Sequence, residues 1–410
     1  MSSRTTTSAS HPTPATTVRR VAALATAAIL VGSTLAACGS SSDSAGSSSA
    51  TAGASGGASA TAASAGSLAG VCPATVVLQA DWEPEAEHAA FYALLGKDYD
   101  IDTTNMRTTG ELMDGDTDTG VKVQIRIGGA SVGYQDPTAL MYADDDILLG
   151  FGRIGDTIAT DAKTPVVGVM ASMAKSPYAI YWDPATYPNV KTIADLKSAG
   201  ATVLTQGEGQ SATWAAYFAG SGILDAKQYD DSADNKPATF IAAGGKDAEV
   251  GFITAEPYMY EKLVKAWGKP VVGQTMGDAG YPEYFQAIVA RKDDVTARKD
   301  CLAKLIPVMQ RALAGYITDP AATNATIVKI VETYDDSWQY DAGSATYAHD
   351  TAVKLGILGP SSDGVLGKFE SANVQKLIDI ARTYRSDVTV PADLTPDSLV
   401  TNQFLDPSIK

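Results

Sequence analysis

Residues 75–95, TVVLQADWEPEAEHAAFYALL, read as a strand, a turn and a helix. Val76, Val77 and Leu78 form a short apolar run. Glu83-Pro84 stands where a helix would start, because proline fits the first turn and its φ is pre-set for it. Beyond Pro84, Phe91, Leu94 and Leu95 recur at helical spacing and predict one buried face. Trp82 and Glu83 then lie at the carboxyl end of a strand, with His88 one turn into the helix. In open α/β sheets ligands bind at that end, and an aromatic ring, a carboxylate and an imidazole together suit a flat polar molecule. The plainer reading, Trp82 as core and Glu83 as a helix cap, uses the same residues; the rest of the chain favours the site.

Strands and helices continue to alternate downstream. Gly96 to Gly120 is polar and reads as an irregular loop. Val121 to Ile127 alternates at period two and predicts a strand, running into Gly128-Gly129-Ala130-Ser131, where a ligand can approach bare backbone. Pro137–Ala143 reads as a helix and Ile147–Phe151 as a buried strand ending in Gly152-Arg153. A helix from Asp156 follows, then strands at Pro165–Met173 and Tyr178–Trp182. Thr192 with Asp195 three residues on is an N-terminal capping pattern. After a strand at Ala201–Thr205 comes the glycine-containing loop 206–211, QGEGQS, and a helix from Ala212 that Ser211 would cap, leaving backbone N–H groups for a polar or anionic group. Glu249–Thr254 is a strand followed by Glu256-Pro257 and a helix through Ala266. Tyr284–Ala290 is the last strand. Helices are expected at Lys299–Ile317, Asn324–Tyr334, Ala345–Leu355 and Ser371–Tyr384. Such alternation predicts α/β layers with largely parallel sheets.

The chain has 410 residues, 45% of them hydrophobic, and a formal net charge of -16. That suits an acidic protein with a large core and argues against a nucleic-acid partner. Arg19-Arg20, the apolar stretch Val21–Val31 and Leu35-Ala36-Ala37 have the layout of a secretory signal peptide, 1–37, too short for a membrane span. Residues 39–70, almost wholly Ser, Ala, Gly and Thr, cannot bury a core and read as a flexible tether. Two cysteines, Cys72 and Cys301, remain beyond Cys38, and an even pair in an exported chain predicts one disulfide. Three histidines are too few for a His-rich metal site. No P-loop motif is present, and no cofactor or catalytic residue is expected.

Leu35-Ala36-Ala37-Cys38 resembles the bacterial lipobox, which implies acylation of Cys38 after cleavage. The order of LQADWEPEAEHAAFYAL (78–94), VQIRIGGASV (123–132), PVVGVMASMAKSPYAIYW (165–182), VKTIADLKSAGATVLTQGEGQSA (190–212) and AEVGFITAEPYMYEKL (248–263) resembles the extracytoplasmic solute-binding proteins of ABC importers. The similar branch binds thiamine pyrimidine precursors, riboflavin, alkanesulfonates or nitrate. The pattern of Trp82, Pro84 and His88 is most similar to the pyrimidine-precursor side. A more distant resemblance, to the fungal thiamine-pyrimidine synthase, implies an enzyme, but that enzyme's cysteine-rich motif has no counterpart here.

The resemblance implies a two-lobed periplasmic-binding-protein-like fold (type II), each lobe a mostly parallel sheet flanked by helices, joined by a two-strand hinge. Lobe one is expected at 71–175 plus 291–410 and lobe two at 176–290, which places Cys72 and Cys301 in the same lobe. The implied protein is a monomeric lipoprotein on the outer face of the cell membrane. It would capture a small flat heterocycle and deliver it to an ABC permease, with a small sulfonate or nitrate-type anion as the alternative. The expected ligand-binding set is Trp82, Glu83, His88, Arg153, Gln210, Ser211, Glu256 and Tyr281. Trp82 would stack on the ligand and Glu256 accept from an exocyclic amine. Arg153 would pair with an anion or face solvent. Tyr134, Phe151, Tyr178 and Tyr284 join Tyr281 as candidate walls.

Overall fold

A computed structural model describes residues 67–160, 163–205, 212–232, 237–336 and 338–410. The signal peptide, Cys38, most of the tether, Gln210 and Ser211 lie outside the described residues. Among the described residues, twelve strands form two sheets. In chain order they are β1 (Thr75–Gln79), β2 (Leu95–Asp102), β3 (Arg107–Asp114), β4 (Thr117–Arg126), β5 (Ile147–Gly152) and β6 (Val166–Met170). β7 (Tyr178–Trp182), β8 (Val203–Leu204), β9 (Tyr229–Asp230), β10 (Ala248–Phe252), β11 (Val272–Thr275) and β12 (Ala287–Arg291) complete the set.

The seven-stranded sheet has the order β2-β3-β4-β1-β5-β12-β6, and the five-stranded sheet β11-β7-β10-β8-β9. Both are mixed. β1 runs parallel to β4 and β5, and β8 parallel to β10 and β9, while every other pairing is antiparallel. The α/β class holds, but the expectation of mostly parallel sheets is corrected: four of the ten strand pairings are parallel and six antiparallel. The chain leaves the larger sheet after Met170, enters the smaller at Tyr178, and returns between Thr275 and Ala287.

Three local expectations are corrected. Pro84 does not open the helix: a 3-10 turn covers Ala86–His88 and a short α-helix Ala89–Tyr92. The helix stops there because Leu95 pairs with Leu112 in the β2–β3 ladder, and strand pairing overrides helical spacing. The polar stretch 96–120 is no loop but most of an antiparallel meander, β2-β3-β4. In β3, Thr108, Gly110 and Leu112 alternate inward, so only one of the three inward positions carries a large hydrophobic side chain and the strand has little period-two hydrophobic signal. The helix at Glu256 is also shorter than expected, passing at Met259 into a wider turn that ends at Leu263.

Elsewhere the caps act as the sequence predicts. Thr192 and Asp195 form a reciprocal capping box, and Gly200 at φ 67° closes that helix. The C-terminal helices run Lys299–Thr318, Ala321–Tyr334, Ala342–Lys354 and Ser371–Tyr384. A disulfide joins Cys72, just before β1, to Cys301 in the first of them, with Cα atoms 4.8 Å apart.

Candidate functional site

The carboxyl end of β1 carries Asp81, Trp82, Glu83, Glu85, Glu87 and His88 within eight residues. The 3-10 turn rotates His88 inward until it is fully buried, with its ring 5.1 Å from Phe151, which itself stacks on Phe91 at 4.0 Å. His88 Nε2 lies 2.9 Å from Asp81 Oδ1 and 3.5 Å from Glu85 Oε1. Gln286, on the return crossing and at φ 52°, donates its amide to Asp81 at 3.2 Å and Glu85 at 3.4 Å. Gly128 is pressed against this turn. A Cβ there would stand 2.3 Å from the Asp81 carbonyl carbon, so only glycine fits.

The smaller sheet meets this turn through the segment after β10. The Thr254 hydroxyl faces the Glu87 carboxyl. Glu256 accepts a hydrogen bond from the Phe252 N–H and packs its carboxyl over Gly251. Burial, with Glu249 and Glu87 nearby, pushes the Glu256 carboxyl up to about 8. Burial also raises Glu85 well above the usual carboxylate range, helped by Glu87 and Asp81, and raises Glu87.

A third wall comes from the segment before the helix Ala342–Lys354. The Tyr340 hydroxyl accepts from the Ala86 N–H at 2.8 Å, and Trp338 Nε1 donates to the Pro84 carbonyl at 3.2 Å. Trp82, partly buried, lies 5.9 Å from the exposed Tyr134 and 6.3 Å, edge-on, from Trp338. Glu83 beside it is pushed up to about 7, by burial first and Asp336 second.

Arg153 and Tyr281 border a different hollow, of about 240 Å³, together with Tyr178, Trp214, Glu283 and Arg385. The Arg153 guanidinium sits 4.4 Å over the Phe285 ring and 3.7 Å from Asp156. Arg385 donates to the Thr213 hydroxyl at 2.9 Å. Tyr281 donates to Glu283 at 3.0 Å, and burial with Asp156 holds Glu283 up at about 7.

The expected site residues therefore fall into groups. Trp82, Glu83, His88 and Glu256 border one junction of the two sheets, though His88 and Glu256 are already held by protein partners. Arg153 and Tyr281 line the separate hollow with Tyr178. Tyr284 and Phe151 are core, the former against Phe369 at 5.0 Å, and Tyr134 is rim. Asp81, Glu85, Glu87, Thr254, Gln286, Trp338 and Arg385 were not singled out from the sequence. Only the first three carried a signal, the density of acids after a strand.

No family model matches the chain, and no curated protein matches it. Solved structures do. The periplasmic aliphatic sulphonate binding protein SsuA from Escherichia coli is similar at a TM-score of 0.52 and 13% identity, over 83% of this chain and 94% of that one. The alkanesulfonate-binding protein SsuA from Xanthomonas axonopodis pv. citri, bound to MOPS, is similar at 0.50 and 11% identity, over 80% and 99%. The ligand binding component of an ABC-type import system from Staphylococcus aureus, with zinc bound, is similar at 0.51 and 10% identity, over 82% and 99%. The chain shares the fold of these binding proteins.

Proposed function

We propose, from the fold shared with these importer components, that the protein is the exported solute-binding lipoprotein of an ABC importer. In this reading residues 71–175 with 291–410 form one lobe and 176–290 the other, and closure about the two crossings traps the solute. Cys38 carries the lipid, and the permease takes the solute from the closed form. The protein captures and does not transform.

The solute is a small flat nitrogen heterocycle of the thiamine-pyrimidine-precursor kind. The observation that supports this is the convergence of carboxylates from both sheets, Glu85 and Glu87 with Glu256, on the same turn that carries Trp82 with Tyr134 and Trp338 around it. A ring stacks on the first group and its N–H donors reach the second. A thermal-shift screen against pyrimidines, vitamins and sulfonates tests it, because a specific ligand raises the melting temperature by mass action. Trp82→Ala and Glu256→Ala should each abolish the rise while leaving a cooperative transition. Two mutants that respond like the parent would move the site elsewhere.

A small anion such as a sulfonate is the second reading. It is favoured by Arg153 and Arg385 on one hollow beside the Thr213–Gly220 helix, and by what the two SsuA proteins bind. A sulfonate response lost in Arg153→Ala and kept in Glu256→Ala would select it.

A further inference from the structure

Resting on the capture of a solute at the β1 junction, we propose that this solute is an organic cation. It would be a flat nitrogen base bearing a protonated amine or amidine, its charge received by Asp81, Glu85 and Glu87 and its ring by Trp82. The carboxylates converge from two directions. Asp81 and Glu85 meet at His88 and Gln286, while Glu87 looks across to Thr254 and Glu256 on the smaller sheet. Glu85 and Glu87 are buried, at 5% and 7% exposure. Among the described residues, none of Asp81, Glu85, Glu87 and Glu256 pairs with a Lys or Arg; the imidazole of His88 alone stands against Asp81 and Glu85.

Negative charge gathered away from water is costly unless it is paired. The fold leaves polar atoms open at the same place. Glu87 Oε1, His88 Nδ1 and Gln286 Oε1 have no hydrogen-bond partner, and their side chains are at most 7% exposed. Such atoms are rare in native proteins and call for an occupant that satisfies them. An anion is repelled by this set. A metal ion is a poor fit, because no group of three or more His, Cys, Asp or Glu among the described residues is arranged to hold one. A nitrogen cation supplies both charge and several N–H donors, and the aromatic faces of Trp82, Trp338 and Tyr134 beside it suit a cationic ring.

The test is calorimetric titration of the full protein with three matched probes: 4-(aminomethyl)pyridine, its neutral analogue 4-pyridinemethanol, and pyridine-4-carboxylate. The amine should bind at least about tenfold more tightly than the alcohol, and the carboxylate should not bind. Glu85→Gln and Glu87→Gln should each shrink the amine's advantage to within about threefold. The same variants, read without any probe, should melt at a higher temperature than the parent, because like-charge crowding is relieved. That pair of opposite effects separates a charge role from simple damage to the fold. Preference for the alcohol or the carboxylate, with the parent still binding a solute, overturns the cation proposal and leaves solute capture standing. No binding by any of the three probes, together with an empty screen of heterocycles and sulfonates, overturns both. A melting temperature that falls in both Gln variants also counts against the charge role.

Discussion

Glu283 accepts hydrogen bonds from the Gly155 N–H, the Tyr284 N–H and the Tyr281 hydroxyl while only 5% exposed. Removing a shared acceptor leaves several buried donors unmet, so Glu283→Ala should cost about 2–4 kcal/mol, read from urea unfolding. A loss well under that would mean that water replaces the carboxyl. Burial holds Glu256 up near 8, and Glu83 and Glu283 near 7, against 4.5 for a free glutamate. Between those values the folded protein keeps protons that the unfolded chain has released. Their stabilising contribution is therefore complete below about pH 4.5 and is lost as pH rises through about 7 to 8. The urea midpoint of the empty protein should fall from about pH 5 to about pH 8, and a midpoint that climbs over that window contradicts the assignment. The acids of WEPEAEH could be read as a group from the sequence, but their meeting could not. It depends on the 3-10 turn that swings His88 inward and on a positive φ at Gln286, and no local pattern encodes either.

The helix Ile193–Ala199 depends on its ends more than its length. Thr192 Oγ accepts from the Asp195 N–H at 3.3 Å and Asp195 returns a carboxylate to the Thr192 N–H at 2.8 Å. Thr192→Ala should cost about 1 kcal/mol, measurable as a lower denaturation midpoint; an unchanged midpoint would mean that packing alone holds this helix. Such caps explain why this helix could be read in advance, and why Pro137–Ala143, capped by Asp136, has the expected ends. Of the meander only β4 could be read, from Val121 to Ile127; β2 and β3 could not, because one face is polar and Thr108 stands where a hydrophobic residue would have marked the strand. The short helix at Ala89–Tyr92 was over-extended for the opposite reason. Leu94 and Leu95 fit its spacing, yet Leu95 belongs to a ladder whose partner, Leu112, lies 17 residues on.

Across the molecule, the Cys72–Cys301 bond spans a sequence separation of 229 residues. Cys72→Ser with Cys301→Ser should lower stability by about 2–5 kcal/mol, since the cross-link restricts the unfolded chain; denaturation with and without reductant reads this, and equal midpoints would show that the bond contributes nothing. Fold class and this pairing were both legible from the chain, one from alternation of element types and the other from cysteine arithmetic. The separation of the expected site residues between the β1 junction and the hollow beside Arg153 was not, because it depends on which strand ends the crossings bring face to face. The twelve strands of the described residues all lie between the two bonded cysteines. A protease that clips any one loop from Thr75 to Arg291 therefore leaves two pieces that remain covalently attached, and the damage becomes visible as separate bands only after the sulfurs are reduced.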